Sequence, residues 1–208
     1  VLLPSTCPCC GRTGPAPCPP CRTRLRPPLP APPPDGIDAW WALFRYEGVG
    51  RDLVVRLKYR NARSTVGWLA DQLAALVDRD AIDVVTWAPT TPERRRSRGF
   101  DQAEVLARAV GRRLRRPCRR LLRRRPGAAQ TGRSREERQH DLGLQPVRHA
   151  PRSVLVVDDV ATTGATLAAA ARALRGAGAQ TVTSVTAART PPSPGALPST
   201  ADAQLPEV

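Results

Sequence analysis

Val154-Leu155-Val156-Val157-Asp158-Asp159-Val160-Ala161-Thr162-Thr163-Gly164-Ala165-Thr166 is the stretch whose reading decides the fold. Its unbroken apolar start, Ser153–Val157 with the preceding serine, is the pattern of a strand buried on both faces, as in a parallel sheet. Such a strand delivers Asp158 and Asp159 to its C-terminal end, where open α/β sheets bind ligands. Small hydroxyl residues and Gly164 then open a helix. Free backbone N–H groups, the positive helix end and the threonine hydroxyls converge there, which is a cradle for a phosphate monoester. Carboxylates suited to sugar hydroxyls or Mg²⁺ stand one turn away. A phosphorylated ribose carries both features at about that separation. The stretch has neither the Gly-Lys-Ser/Thr ending of a P-loop nor a GxGxxG turn, and packing alone gives no reason for two acids followed by Thr-Thr-Gly-Ala-Thr.

Outward from this segment, helical and strand-like patterns alternate. Apolar residues recur with helical spacing over Asp52–Arg60 and over Ser64–Arg79, the latter with Leu69, Leu73, Leu76 and Val77. Ile82–Pro89 reads as a strand. Phe100–Arg116 reads as a helix with Ala103, Leu106, Val110 and Leu114 on one face. Cys118–Leu122 suggests a short strand and Ser134–Leu142 a capped polar helix. Thr163–Gly176 is an alanine-rich helix ending in glycine, and Thr181–Ala188 a last strand. Alternating β and α elements predict an α/β fold, a parallel sheet flanked by helices.

The chain has 208 residues, of which 41% are apolar, enough for one domain with a real core plus appendages. No apolar run approaches the roughly 18 residues of a membrane span, and Val1-Leu2-Leu3-Pro4 lacks the basic and apolar regions of a secretory signal, so a cytoplasmic location is expected. The formal charge is +15, and Lys58 is the one lysine among 33 basic residues. Arginine-for-lysine bias explains most of this. The charge still favours polyanionic partners, whether a pyrophosphate or nucleic acid. Four sections are expected: a cysteine unit at 1–26, a stiff proline-rich linker at 27–36 that spaces this unit from the rest of the chain, the α/β domain at 37–189, and a disordered tail at 190–208 rich in Pro, Ser and Ala.

Cys7-Pro8-Cys9-Cys10 and Cys18-Pro19-Pro20-Cys21 form two CxxC knuckles. Four thiolates from Cys7, Cys10, Cys18 and Cys21 can close a tetrahedral structural Zn²⁺ site. Metal binding would supply on the order of 10 kcal/mol, enough to fold a unit with little apolar core. Cys9 is a spare that could compete with Cys7 or Cys10, disulfides are the alternative, and Cys118 reads as a lone buried thiol.

After the strand ending at Pro89 comes Thr90-Thr91-Pro92-Glu93-Arg94-Arg95-Arg96-Ser97-Arg98-Gly99-Phe100-Asp101-Gln102. As a functional element this is a mobile arm whose arginines, notably Arg94, Arg95 and Arg98, neutralise pyrophosphate; as a plain one it is a solvated basic loop. Lys58 either complements a helix end or reaches the diphosphate. Arg112, Arg113, Arg115, Arg116, Arg119, Arg120, Arg123, Arg124 and Arg125 crowd one stretch. That is either codon bias on a solvated face or a salt-sensitive nucleic-acid surface.

The acidic turn resembles the 5-phosphoribosyl pyrophosphate (PRPP) motif of type I phosphoribosyltransferases. Together with Tyr46-Glu47-Gly48 through Leu57-Lys58-Tyr59-Arg60, Arg98-Gly99-Phe100-Asp101-Gln102, the Gln130–Arg138 stretch and the cysteine knuckles, it is similar to the ComF competence family. The resemblance implies a zinc-bearing module on a phosphoribosyltransferase domain linked to DNA uptake, with single-stranded DNA and uptake machinery as partners. It implies that Asp158 and Asp159 contact the ribose 2′- and 3′-hydroxyls, and that Ala161, Thr162, Thr163, Gly164, Ala165 and Thr166 wrap the 5′-phosphate of Mg²⁺–PRPP. Asp101 and Asp141 stand where the family usually has asparagine.

Overall fold

The computed structural model describes residues 6–57, 63–125 and 142–191. Lys58 and the helix expected over Ser134–Leu142 therefore lie outside the described residues, apart from Leu142 itself. Four strands form one parallel sheet: β1 (Ala39–Arg45), β2 (Val84–Trp87), β5 (Ser153–Ala161) and β6 (Thr181–Arg189), in the order β1-β6-β5-β2. Two short strands, β3 (Leu122–Arg124) and β4 (Leu144–Pro146), pair antiparallel beside it. The helices are α1 (Pro19–Arg22), α2 (Gly48–Arg56), α3 (Arg63–Ala74), α4 (Pro92–Arg98), α5 (Gln102–Leu114) and α6 (Ala165–Gly176).

Alternation along the strands sorts the core into two layers. Leu155 and Val157 of β5 join Val85, Trp87 and Val185 under α2, α3 and α5, which contribute Leu53, Leu69, Leu73, Leu106 and Val110. Val154 and Val156 face the other way with Val84 and Val182, under Leu167, Ala170, Ala171 and Leu174 of α6 and Leu121 and Leu122. Residues 154–157 are fully buried, which explains why β5 reads as a continuous apolar run rather than an alternating one. Helices on both faces make this the parallel, helix-flanked sheet expected from the sequence.

Several elements differ from the sequence reading. β5 continues to Ala161, because it stays paired with β6 through Ala161↔Arg189 after its pairing with β2 ends at Val157↔Trp87. β1, with two tryptophans, is an additional strand that closes the edge beside β6. The expected strand at Cys118–Leu122 reduces to a single bridge, Val85↔Cys118, and β3 begins at Leu122. The arginine arm is a short helix rather than a loop. Thr91 caps α4 by accepting the Arg94 N–H, Pro92 suits its first turn, and Gly99 ends it with φ 76°.

The cysteine unit sits on the domain. Cys7, Cys18 and Cys21 are buried in the same cluster as Val49, Leu53 and Leu69. Arg22 of α1 lies 5.5 Å from the centre of the Trp68 ring on α3. The proline-rich segment does not hold the unit at a distance. The carbonyls of Arg26 and Pro27, where this segment begins, accept the backbone and side-chain N–H of Arg45, each at 2.9 Å. Pro34 then packs on Gly164, and Gly36 passes over Ala171 of α6.

Candidate functional site

The site grows from the place where β5 outruns β2. Beyond Val157 the strand has, among the described residues, a neighbour only on the β6 side, so Asp158 and Asp159 stand at an open corner of the described sheet. They lie within β5, not in a turn. The carboxylate of each accepts the next backbone N–H at 2.8 Å: Asp159 N–H on Asp158 and Val160 N–H on Asp159. Asp158 is 9% exposed and Asp159 half-buried. Burial, then the charge of Asp159, and more weakly that of Asp101, hold the Asp158 carboxyl well above the ordinary range. A buried carboxyl so placed is completed by a cation or by hydroxyl donors.

Asp101 forms the floor of this corner from α5. Its Oδ1 accepts the N–H groups of Ala103 and Glu104 as the helix cap, and its Oδ2 accepts the Thr90 N–H at 2.9 Å, tying α5 to the end of β2. It is 3% exposed, and burial raises its pKa against those hydrogen bonds. Gln102 beside it is buried, and its Nε2 has no acceptor among the described residues.

The cation of the corner is one that sequence reasoning assigned only to a general basic surface. Arg124, at the end of β3, donates to the carbonyls of Pro89 and Leu142, each at 3.1 Å. Burial lowers its pKa, while the charge of Asp158 supports it and the nearby Arg94 opposes it. Arg94 and Asp158 are thus both within electrostatic reach of Arg124. Arg95 and Arg98, in contrast, are turned to neighbours on α5: Arg95 to Glu104 at 3.8 Å and Arg98 to Gln102 Oε1 at 2.7 Å. What marks Arg124 in the sequence is only its place after the apolar pair Leu121-Leu122, a weak strand signal inside an arginine-crowded stretch.

The loop after β5 leads into the start of α6. Gly164 starts α6 with φ 75°, a left-handed conformation that a side chain resists. The Thr163 hydroxyl accepts the Ala165 N–H at 3.3 Å, and the N–H groups of Thr163, Gly164 and Thr166 have no acceptor among the described residues. Thr162 and Thr163 are exposed. Gly164 is also the point of linker contact: a Cβ there would lie 2.7 Å from Pro34 Cγ.

At the other end of the chain, the sulfurs of Cys7, Cys10, Cys18 and Cys21 lie within 4.8 Å of one another, and Cys10 and Cys18 are 3.5 Å apart. Tetrahedral Zn–S bonds of about 2.3 Å place sulfurs roughly 3.8 Å apart, so the group fits the ion. Burial opposes ionisation of Cys7, yet N–H groups of Cys18, Cys10 and Cys9 bring its pKa to about 6, which suits a metal ligand. The spare Cys9 points instead toward the Val49 carbonyl at 3.9 Å, and burial pushes its pKa to about 12.

Residues 130–202 match the family described as Phosphoribosyl transferase domain; this range contains β4, β5, α6 and β6. The chain is also similar to a solved structure, the purine phosphoribosyltransferase from Pyrococcus horikoshii Ot3, with 16% identity and a TM-score of 0.37, over 60% of this chain and 82% of that one. No curated protein sequence matches. The fold is a parallel sheet with helices on both faces, type I phosphoribosyltransferase-like across its acidic strand and following helix, joined to a four-cysteine unit that can hold zinc.

Proposed function

We propose that the chain binds Mg²⁺–PRPP, or another phosphoribosyl compound, at the corner between β5 and α6 and transfers the phosphoribosyl group. The observation that carries this reading is Asp158: a buried carboxyl, disfavoured as an anion by Asp159 and Asp101, one loop before a helix start whose first amides have no acceptor among the described residues. Asp158 and Asp159 hold the ribose 2′- and 3′-hydroxyls. The segment Ala161, Thr162, Thr163, Gly164, Ala165 and Thr166 wraps the 5′-phosphate. Arg94 with Arg124 faces the pyrophosphate, Arg95 and Arg98 join by leaving Glu104 and Gln102, and Lys58 is a further candidate for the diphosphate. A buried carboxyl beside two further acids, as Asp158 is beside Asp159 and Asp101, suits a divalent cation. Mg²⁺, when bound, supplies charge neutralisation at the pyrophosphate oxygens. The bond from the anomeric carbon to pyrophosphate breaks as a bond to a nitrogen nucleophile forms, and the acidic pair steadies the positive charge on the sugar.

The full reading is a ComF-like protein of the cytoplasm, its cysteine unit carrying structural Zn²⁺ and its activity tied to DNA uptake. A non-catalytic accessory that contacts single-stranded DNA through its arginines is less well supported. Arg113 pairs with Asp71 at 2.8 Å, Arg116 with Asp80 at 2.9 Å and Arg108 with Glu104 at 2.9 Å, so part of the basic face is already neutralised. Calorimetric titration with Mg²⁺–PRPP should show saturable binding that the double substitution Asp158→Asn, Asp159→Asn weakens at least about tenfold, the loss expected for removing one charge-assisted hydrogen bond of about 1.5–3 kcal/mol. Unchanged affinity would refute the site. Pyrophosphate release with a panel of nucleobases then separates a transferase from an accessory.

A further inference from the structure

The segment between the proline run and β1 is fastened along α6 from its first residue to its last turn. Pro34 is half-buried, whereas Ala31, Pro32 and Pro33 before it are exposed. The Pro34 carbonyl accepts the Ile37 N–H at 3.0 Å, and Gly36, with φ 77°, shapes the turn between them. Ile37 is buried in the cluster that holds Leu167, Ala171 and Leu174 of α6. Arg175, in the last turn of α6, secures the other end. Its guanidinium donates to the Gly36 carbonyl at 3.0 Å, to the Gln180 carbonyl at 2.7 Å and to the two Asp38 oxygens at 2.7 and 2.8 Å. Asp38 also accepts the Val182 N–H at 2.7 Å, which ties the same point to β6.

A lone surface ion pair contributes little, but a two-pronged arginine with two further carbonyls fixes a geometry. What it fixes is the Pro34 ring against Gly164: a Cβ on that glycine would lie 2.7 Å from Pro34 Cγ and 3.1 Å from Pro34 Cβ. Gly164 opens α6, and its carbonyl accepts the Ala168 N–H at 2.9 Å. A glycine in a left-handed conformation has no side chain to hold it there. A rigid proline ring against its Cα supplies the packing it lacks. The amides on either side of Gly164 are thereby kept in one arrangement before any ligand arrives, and a site ordered in advance binds more tightly.

We propose that residues 34–38 form a clasp that positions the loop between β5 and α6, with Pro34 as the positioning residue and Arg175 as its fastener. The proposal rests on the reading of that loop as the 5′-phosphate site and adds what holds it in shape.

Pro34→Gly and Arg175→Met, made in the full chain, release the clasp at either end. Hydrogen exchange of the Ala168 N–H without ligand should quicken in both by at least about fivefold, the effect of freeing one backbone residue. Unchanged exchange in both overturns the clasp. Gly164→Ala should shift the denaturation midpoint less in the Pro34→Gly background than in the parent chain, because no ring then meets the new methyl; equal shifts contradict the contact. In calorimetric titration, Pro34→Gly should bind Mg²⁺–PRPP about fivefold more weakly. Arg175→Lys, which can still pair with Asp38, should fall between the parent chain and Arg175→Met. Lower fold stability alone leaves the affinity of the folded chain unchanged, so equal affinity in Pro34→Gly and the parent overturns the positioning role. A parent chain that does not bind Mg²⁺–PRPP sinks the sugar-phosphate reading instead, and the two ligand-free measurements still decide whether the clasp holds the loop.

Discussion

At the scale of the residue, Asp158 is held where its carboxylate form is disfavoured, by burial first and by Asp159 next. An acid whose pKa is raised by folding binds more protons folded than unfolded. Its contribution to stability is therefore greatest at low pH and declines as pH rises from the ordinary carboxylate range through the raised value. Asp158→Asn should remove that decline and, without ligand at pH 7, raise the melting temperature by about 2–4 °C, the equivalent of roughly 1 kcal/mol in a chain of this size. Melting curves from about pH 4 to 8 check this; equal pH slopes for the two proteins would contradict it. The place of Asp158 and Asp159 at the end of a buried strand was legible in the sequence, because the apolar run before them is unbroken. Arg124 was not, since one arginine among many signals nothing until β3 and β4 bring it to the carbonyls of Pro89 and Leu142.

At the scale of the element, the two helix starts near the site carry different loads. Asp101 caps α5 and also accepts the Thr90 N–H, so it locks the helix to the end of β2. Asp101→Asn should retain the cap through its one carbonyl oxygen and relieve the buried charge, but lose the Thr90 N–H bond, because an amide nitrogen cannot accept it. Asp101→Ala should cost about 1 kcal/mol for the cap alone, with more for the Thr90 N–H; chemical denaturation of both variants measures the difference. Gly164→Ala meets two obstacles, the left-handed backbone at φ 75° and Pro34 at 2.7 Å. It should destabilise the chain by at least about 1–2 kcal/mol and weaken PRPP binding; an unchanged denaturation midpoint would show that the loop relaxes freely. The strands and helices with strong periodicity were readable: β2, β5, β6, α3, α5 and α6 all coincide in type with the sequence reading. The errors fall where tertiary pairing overrides local pattern. β5 runs on through its acids because β6 continues beside it, and α4 forms in an arginine-rich segment because Thr91 and Gly99 cap it.

At the scale of the whole molecule, the cysteine unit and the proline segment are part of the domain's packing. Three of the four sulfurs share a cluster with α2 and α3, so removal of bound metal should be felt beyond the unit itself. A chelator, or Cys10→Ser at the exposed ligand, should lower the main calorimetric transition by about 7–13 °C, if a third of the roughly 10 kcal/mol of a closed thiolate site reaches the domain. A main transition insensitive to the chelator would show that the unit is only tethered. From sequence the knuckles were plain, but their docking was not, since nothing in the CxxC spacing tells which surface Cys9 and Arg22 will meet. The proline segment links the cysteine unit to the proposed phosphate loop, from its contact with Arg45 to the glycine that opens α6. The most direct test of the central claim is a crystal structure of the chain with Mg²⁺ and PRPP. The ribose should lie on Asp158 and Asp159 and the 5′-phosphate against the amides of Thr163 to Thr166; PRPP bound elsewhere, with that loop still empty, would contradict the claim.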